Sequence, residues 1–177
     1  MVFLRRFAPL LVALLISGVA SADSEEGGEL KQWQEAEVQL PAAPRSETLQ
    51  PFYVSAVSDN QFFIDLATLS IRNDGVIRYV LLIITPGGGR NVTFEGMRCE
   101  TREHRMYASG RQDGSWSRSR TNDWSRIREV YANRHHATLF MEYFCPSGIS
   151  VASVAEAKNA LQRGEHPSNK RLSLIHI

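Results

Sequence analysis

The chain has 177 residues, of which 43% are hydrophobic, and its formal net charge at pH 7 is +1. This size suits one domain with a hydrophobic core, and the near-neutral charge argues against a strongly basic nucleic-acid-binding protein. The charges are unevenly distributed, however. Residues 23–50 are acidic, whereas residues 90–134 contain ten arginines, six acids and no lysine.

The first 22 residues have the pattern of a secretory signal peptide. Arg5 and Arg6 precede an apolar stretch at residues 7–19, and the small residues at 20–22 match a signal peptidase cleavage site. The apolar stretch is too short to span a bilayer, and no second stretch follows it. We therefore predict a periplasmic protein that is cleaved near Ala22 and has no transmembrane segment in its mature chain.

Residues 23–50 form a predicted N-terminal arm with seven acids and two bases. This composition cannot bury enough apolar surface to order itself, so it predicts a largely flexible tail or a strap along the domain. Trp33, Val38 and Leu40 are the residues that would dock such a strap.

Residues 51–167 are predicted to form a single α+β domain, with an antiparallel meander followed by two or three C-terminal helices. A small barrel is the alternative to the meander. The apolar stretch at 76–85 predicts a central strand, and Asn73-Asp74-Gly75 predicts a hairpin turn with two positive φ angles. Other patterned stretches predict strands at residues 52–57, 62–65, 91–99 and 105–109.

Helical patterns follow the strands. Asn133 is the predicted cap of an amphipathic helix, and Ser153 begins a second helix that ends at Gly164. The apolar stripe of the first helix consists of Ala137, Phe140, Met141 and Phe144. A further helical turn is suggested by Trp124, Ile127 and Tyr131.

The two cysteines, Cys99 and Cys145, would meet an oxidising compartment after export, where pairing is expected. They are distant in sequence, and neither belongs to a Cys-x-x-Cys motif. A structural disulfide between the strand end and the first helix is therefore favoured over a redox pair.

Three segments, Leu49–Asp65, Asn91–Thr101 and His135–Gly148, occur together in a recognisable order and spacing. They include Phe-Glu-Gly-Met-Arg-Cys at 94–99 and Tyr-Phe-Cys-Pro at 143–146. In these features the chain resembles the CNP1-like family, a group of exported proteins of Gram-negative bacteria, over residues 33–167. The resemblance implies export and paired cysteines, and it implies no particular ligand, cofactor or catalytic residue.

Residues 168–177 form a predicted tail that ends in the apolar hexamer Leu172–Ile177. One translation of a transposon end used in sequencing libraries gives the same hexapeptide, so we interpret these residues as adapter-derived. A genuine short terminal strand is the alternative interpretation.

The histidines do not predict a metal site. His135 and His136 are adjacent, and neighbouring helix positions point about 100° apart, which does not favour chelation of one ion. Adding His104 gives three imidazoles without a metal-ligand spacing. We therefore predict exposed or helix-start histidines, and neither a metal nor a cofactor.

The arginine-rich segment around Trp116 and Trp124 is the main candidate binding site. Guanidinium groups recognise carboxylates and phosphates, and indole rings stack on sugars or cations. The segment predicts a non-enzymatic module that binds an envelope protein or an anionic glycan, or that docks the chain's own acidic arm. A solvated loop whose tryptophans pack into the core is the alternative. The candidate arginines are Arg111, Arg118, Arg120, Arg126 and Arg128.

A hydrolase acting on cell-envelope material is the second functional hypothesis, although the sequence contains no catalytic motif. Its candidate acid–base groups are Glu95, Glu103 and His104. Such a site requires at least two of these groups to converge in a cleft with displaced pKa values. A scaffold of the envelope without a discrete ligand is a third hypothesis.

Overall fold

A computed structural model describes residues 32–169 of the chain. The predicted signal peptide, residues 23–31 of the predicted arm and the C-terminal hexamer lie outside these residues. The described part contains an antiparallel sheet of eight strands. The strands are β1 (Leu49–Phe52), β2 (Gln61–Asp65), β3 (Ser70–Ile71), β4 (Ile77–Ile84), β5 (Arg90–Arg98), β6 (Glu103–Gly110), β7 (Trp116–Arg118) and β8 (Ser125–Arg126).

The sheet is an open meander. Six strands follow the order β1-β2-β4-β5-β6-β7, while β3 pairs with β4 and β8 pairs with β6. Because β1 and β7 lie at opposite ends of this order, the described sheet does not close into the barrel considered as an alternative. The predicted α+β class and antiparallel sheet are confirmed.

Local signals correctly placed four of the eight described strands, β2, β4, β5 and β6, and did not predict β3, β7 or β8 as strands. The stretch at 76–85 forms β4, which pairs with β5 over eight residue pairs from Ile77↔Met97 to Ile84↔Arg90. The predicted hairpin before it is the β3–β4 turn, in which only Gly75 has a positive φ, +74°. The first strand was predicted too late: β1 ends at Phe52, because Leu49 to Phe52 is the segment that pairs with β2.

Two helical segments follow the sheet. The first begins as α1 (Arg134–Thr138) and continues as a π-helix at Leu139–Phe144, and the second is α2 (Val154–Arg163). Within residues 32–169, no helix combines the length and apolar character that crossing a bilayer would need.

The helix caps were predicted with mixed success. Ser153 caps α2 by accepting a hydrogen bond from the Glu156 amide (3.1 Å), and Gly164 ends the helix with φ +84°. Asn133 makes no side-chain cap, because a 3-10 turn at Tyr131–Asn133 leads directly into α1. The apolar stripe is confirmed, since Ala137, Phe140 and Phe144 are buried and Met141 packs against the core.

The helical turn predicted from Trp124, Ile127 and Tyr131 is wrong over most of its length. Ser125–Arg126 forms β8 instead, and the Ile127 amide donates to the Arg102 carbonyl at 2.9 Å. Pairing with the open edge of β6 satisfies these backbone groups, which a single isolated helical turn would leave largely unsatisfied.

The sheet is covered on both faces. The helices pack on one face and enclose the main core, which includes Ile77, Tyr79, Leu81 and Met97. Residues 33–44, here called the arm segment, cover the other face. There Val38 and Leu40 pack against a second cluster formed by Val80, Phe94 and Tyr107.

The predicted disulfide is confirmed between Cys99, just after β5, and Cys145, just after the π-helix. It closes a sequence separation of 46 residues and joins the sheet to the helical layer. Constraining a loop of that length in the unfolded chain stabilises the fold by about 4 kcal/mol in the chain-entropy description.

Replacing both cysteines by alanine is therefore expected to lower the free energy of unfolding by about 4 kcal/mol. Urea denaturation of the oxidised wild type and of the Cys99→Ala/Cys145→Ala variant measures this difference. Reduced wild-type protein is the control and should unfold near the midpoint of the variant, since it lacks the same constraint. Equal midpoints for the variant and the oxidised wild type would contradict the expectation.

Candidate functional site

The arginines of the predicted binding site lie along one edge of the sheet. Both β7 and β8 pair with β6, Arg118 opposite Ala108 and Arg126 opposite Glu103. The two arginines are thus five β6 positions apart, or about 17 Å along the strand. All five candidate residues are exposed and are here called the arginine face: Arg111, Arg118, Arg120, Arg126 and Arg128.

No member of the arginine face forms an ion pair with another residue of the described chain. Arg111 donates hydrogen bonds to Ser115 Oγ (3.2 Å) and to the Trp116 carbonyl (3.3 Å), within the turn between β6 and β7. Other arginines are paired with carboxylates, namely Arg45, Arg78, Arg98, Arg102 and Arg105. The arginine face therefore has no direct carboxylate partner within the described fold, although Asp113 interacts electrostatically with Arg111 across their turn.

Trp116 and Trp124 contact the arm segment. The Trp116 Nε1 donates to the Pro41 carbonyl at 2.7 Å, and the Trp124 ring meets the Trp33 ring edge-on with 6.1 Å between centroids. Both indoles are half-buried. The structure thus separates the two parts of the predicted site, because the arginines face solvent while the tryptophans pack against the chain's own arm.

A network of ionisable side chains attaches the arm segment to the sheet. Glu35 accepts hydrogen bonds from Arg105 Nη1 (2.6 Å) and Tyr107 Oη (2.5 Å). Asp74 and Arg78 form an ion pair at 2.6 Å, and Arg78 Nη2 also lies 3.4 Å from Glu35. These residues, here called the clasp, are Glu35, Asp74, Arg78, Arg105 and Tyr107.

Asp74 also binds the backbone of the arm segment. Its carboxylate accepts from the Ala36 amide at 2.8 Å, and its carbonyl accepts from Trp33 Nε1 at 2.9 Å. Burial acts to raise the pKa of Asp74, but hydrogen bonds from Arg78 and from two backbone amides outweigh it, so the pKa lies below its ordinary value of 3.8. The charged form of Asp74 is therefore the form that holds the arm segment.

Two further features help to hold the arm segment on the sheet. The Arg98 guanidinium lies 3.8 Å from the centroid of the Trp33 ring, a cation–π geometry. Gly96 leaves the space that the Tyr107 ring occupies, since a Cβ at this position would overlap the ring. Tyr107 can therefore lie against β5 and reach Glu35.

Sequence reasoning missed the clasp. Its members are spread from residue 35 to residue 107, so no local spacing connects them. One signal was present in the sequence, because Arg78 is a charged residue at the start of the apolar stretch at residues 76–85. A charge in a strand that is buried on both faces requires a buried partner.

A second polar cluster lies between the sheet and α1. Glu95 on β5 and His136 on α1 are joined by a 2.8 Å contact between carboxylate oxygen and Nε2. The His104 ring on β6 stacks on the His136 ring with 3.8 Å between centroids. Glu95, His104 and His136, here called the Glu–His cluster, each offer one donor atom within 4.8 Å of the others.

The Glu95 carboxylate is held by two further hydroxyls. Thr93 Oγ1 donates to it at 2.7 Å and Tyr79 Oη at 3.2 Å. Burial acts to raise the pKa of Glu95, but the His136 charge and hydrogen bond outweigh it and lower the pKa to about 2. Burial also lowers the pKa of His104 to about 4, so its imidazole is neutral at neutral pH.

Of the two predicted placements, exposed or at a helix start, the pair at the start of α1 has the second and not the first. His135 and His136 are only 8% and 6% exposed, because His135 stacks on Phe62 and His136 reaches Glu95. Their position at a helix start is confirmed. The fold thus brings His104 and His136 together from positions that no sequence spacing connects.

The three acid–base candidates of the hydrolase hypothesis do not all converge. Glu95 and His104 belong to the Glu–His cluster. Glu103 instead pairs with Arg98 at 3.3 Å. Successive residues of a strand point to opposite faces, so Glu103 and His104 are separated by the sheet.

The chain belongs to the CNP1-like family, whose family model matches residues 28–162. This match includes the arm segment, all eight strands and most of α2. Among curated proteins and among solved structures, none matches the chain significantly.

The clasp leads to a test of pH dependence. Asp74→Asn should lower the free energy of unfolding at pH 7 by about 3 kcal/mol, because it leaves the Arg78 charge buried without its nearest partner. The difference from wild type should shrink as the pH falls below 3.8, because wild-type Asp74 then loses the stabilisation of its charged form. Urea denaturation followed by tryptophan fluorescence at pH 7 and pH 3 measures both effects.

Asp59→Asn provides the matched control, since Asp59 is exposed and makes no ion pair with a described residue. It should leave stability unchanged at both pH values. A loss in Asp74→Asn that is equally large at pH 7 and pH 3 would show that its charge does not hold the arm segment.

Proposed function

We propose that this CNP1-like protein is exported to the periplasm and acts there as a non-enzymatic binding module whose arginine face engages an acidic segment of an envelope protein. The signal-peptide pattern at residues 1–22 supports export. The disulfide between Cys99 and Cys145 supports an oxidising compartment.

The single observation that carries the binding proposal is that the exposed arginines along the β6 edge have no ion-pair partner within the described fold. The arginine face is exposed and forms no ion pair within the described fold, whereas five other arginines are paired. Arg118 and Arg126 are spaced along the same strand edge, so an extended acidic segment fits them better than a single small anion. Planar guanidinium groups bind carboxylates with two parallel hydrogen bonds.

An acidic protein segment is favoured over an anionic glycan by the position of the tryptophans. Glycan recognition would use exposed indole faces as stacking platforms. Trp116 and Trp124 are instead half-buried against the arm segment. The chain also contains an internal example of the proposed recognition, because the acidic arm segment binds Arg105 through Glu35 at 2.6 Å.

A hydrolase acting on envelope material is the second candidate. It is favoured by the convergence of Glu95 and His104, both with displaced pKa values. The candidate is weaker, because Glu95 is only 4% exposed and its oxygens are already engaged by Thr93, Tyr79 and His136. Glu103 does not join the cluster.

Charge reversal tests the binding proposal. Arg118→Glu/Arg120→Glu should abolish crosslinking of the protein to its partner in the periplasm while changing the melting temperature little, since both side chains are exposed. The measurement is an in-cell crosslinking pull-down analysed by mass spectrometry. Loss of an acidic protein from the pull-down supports the proposal, whereas loss of a glycan-bearing fraction alone would assign the face to a glycan.

Arg72→Glu/Arg163→Glu is the matched control, with the same change in net charge at two exposed arginines outside the arginine face. This control should retain the partner. If the Arg118→Glu/Arg120→Glu variant also retains it, the arginine face is not the binding surface. If both variants lose it, net charge rather than this surface controls the interaction.

A further inference from the structure

The Glu–His cluster combines donor types that bind transition metals. Two imidazoles and one carboxylate come from three elements, His104 from β6, Glu95 from β5 and His136 from α1. Imidazole nitrogen and carboxylate oxygen bind Zn²⁺ at about 2.0–2.2 Å. We propose that the Glu–His cluster is a binding site for one divalent transition-metal ion of the Zn²⁺ type.

The separations within the cluster suit a single ion. Donors about 2.1 Å from a common ion in tetrahedral geometry lie about 3.4 Å apart. The donor atoms of the cluster all lie within 4.8 Å of one another, and the Glu95 oxygen and His136 Nε2 lie at 2.8 Å. His104 is half-buried, and its ring stacks directly on the His136 ring, with 3.8 Å between centroids.

The hydrogen bonding of the cluster leaves a donor atom for a metal. His104 Nδ1 is buried and has no hydrogen-bond partner among the described residues, whereas His136 would bind the ion through the Nε2 that contacts Glu95. A buried polar atom without a partner is costly, and a coordinated ion is one way to satisfy an imidazole nitrogen. His135 lies beside the cluster, with its ring 4.1 Å from the His136 ring and 5.5 Å from the Phe62 ring between centroids, but it is not one of the three residues whose donor atoms converge.

The surroundings of Glu95 resemble the outer shell of a metal site. Metal-binding carboxylates are usually oriented by further hydrogen bonds, and Glu95 is oriented by the hydroxyls of Thr93 (2.7 Å) and Tyr79 (3.2 Å). The Glu95 carboxylate supplies a negative charge within the cluster, which favours a cation as the ligand. Three protein ligands leave a fourth position for water, on the side of the half-buried His104.

Zinc binding by the disulfide-bonded, untagged protein tests the proposal. After treatment with EDTA and dialysis, the protein is titrated with ZnCl₂ by calorimetry, and Co²⁺ serves as a spectroscopic probe of the ligand geometry. We expect one Zn²⁺ per chain, a raised melting temperature and a Co²⁺ spectrum typical of four or five ligands. A wild-type protein that binds no Zn²⁺ at millimolar concentration would overturn the proposal.

Variants identify the ligands. His104→Gln and Glu95→Gln should each weaken Zn²⁺ binding at least 100-fold, since the loss of an outer-shell group alone costs 10- to 100-fold. His104 is half-buried, so its variant remains informative even if the Glu95 variant does not fold. Unchanged Zn²⁺ affinity in a folded His104→Gln variant contradicts the assignment.

The control is His166→Gln, because His166 is also buried and also contacts a carboxylate, that of Glu156 at 2.9 Å. It should bind Zn²⁺ like the wild type. If His166→Gln loses binding while His104→Gln keeps it, the ion lies at α2 and the proposed site is wrong. These measurements do not involve the arginine face, so their outcome is independent of the partner-binding proposal.

Discussion

The central strands β4 and β5 must be covered on both faces, and this constraint organises the rest of the fold. Ile77 and Leu81 face the helices, while Val80 and Phe94 belong to the cluster beneath the arm segment, and none is more than 3% exposed. Exposing such a face to water would cost about 25 cal/mol for each Å² of apolar surface. The helices cover only one face of the sheet. The arm segment is therefore needed to cover the other face and belongs to the folded domain.

Covering the second face with an acidic segment explains where the charges lie. The arm segment places Glu35 over the sheet, where it forms ion pairs with Arg78 on β4 and Arg105 on β6. Buried charges of this kind are tolerated because they are paired and hydrogen-bonded. The arm segment also contacts Trp116 at the start of β7 and Trp124 just before β8, but none of its residues forms an ion pair with the arginine face. The arginines of this face are consequently those that the arm segment leaves without a carboxylate partner.

Local patterns sufficed to predict the sheet, the order of strands and helices, and the Ser153 cap, because each depends on neighbouring residues. The central strand was predicted from one apolar stretch, and the pairing of the cysteines from the expectation of export to an oxidising compartment. The clasp and the Glu–His cluster depend instead on contacts across 72 residues, between Glu35 and Tyr107, and across 41 residues, between Glu95 and His136. β8 was not predicted for the same reason, since it pairs with residues of β6 that are more than 20 positions earlier in the sequence.

The disulfide and the Glu–His cluster connect the same two layers at different points. Cys99 follows β5 and bonds to Cys145 after the π-helix, while Glu95 within β5 contacts His136 in α1. The helical segment from residue 134 to 145 is thus fixed to β5 near both of its ends. The arginine face lies on the β6 edge, where the β8 backbone pairs with Glu103 and His104, but none of its arginine side chains forms an ion pair with a described residue of either connection. Its charges can therefore vary without disturbing the packed layers, which is the separation that the proposed binding surface requires.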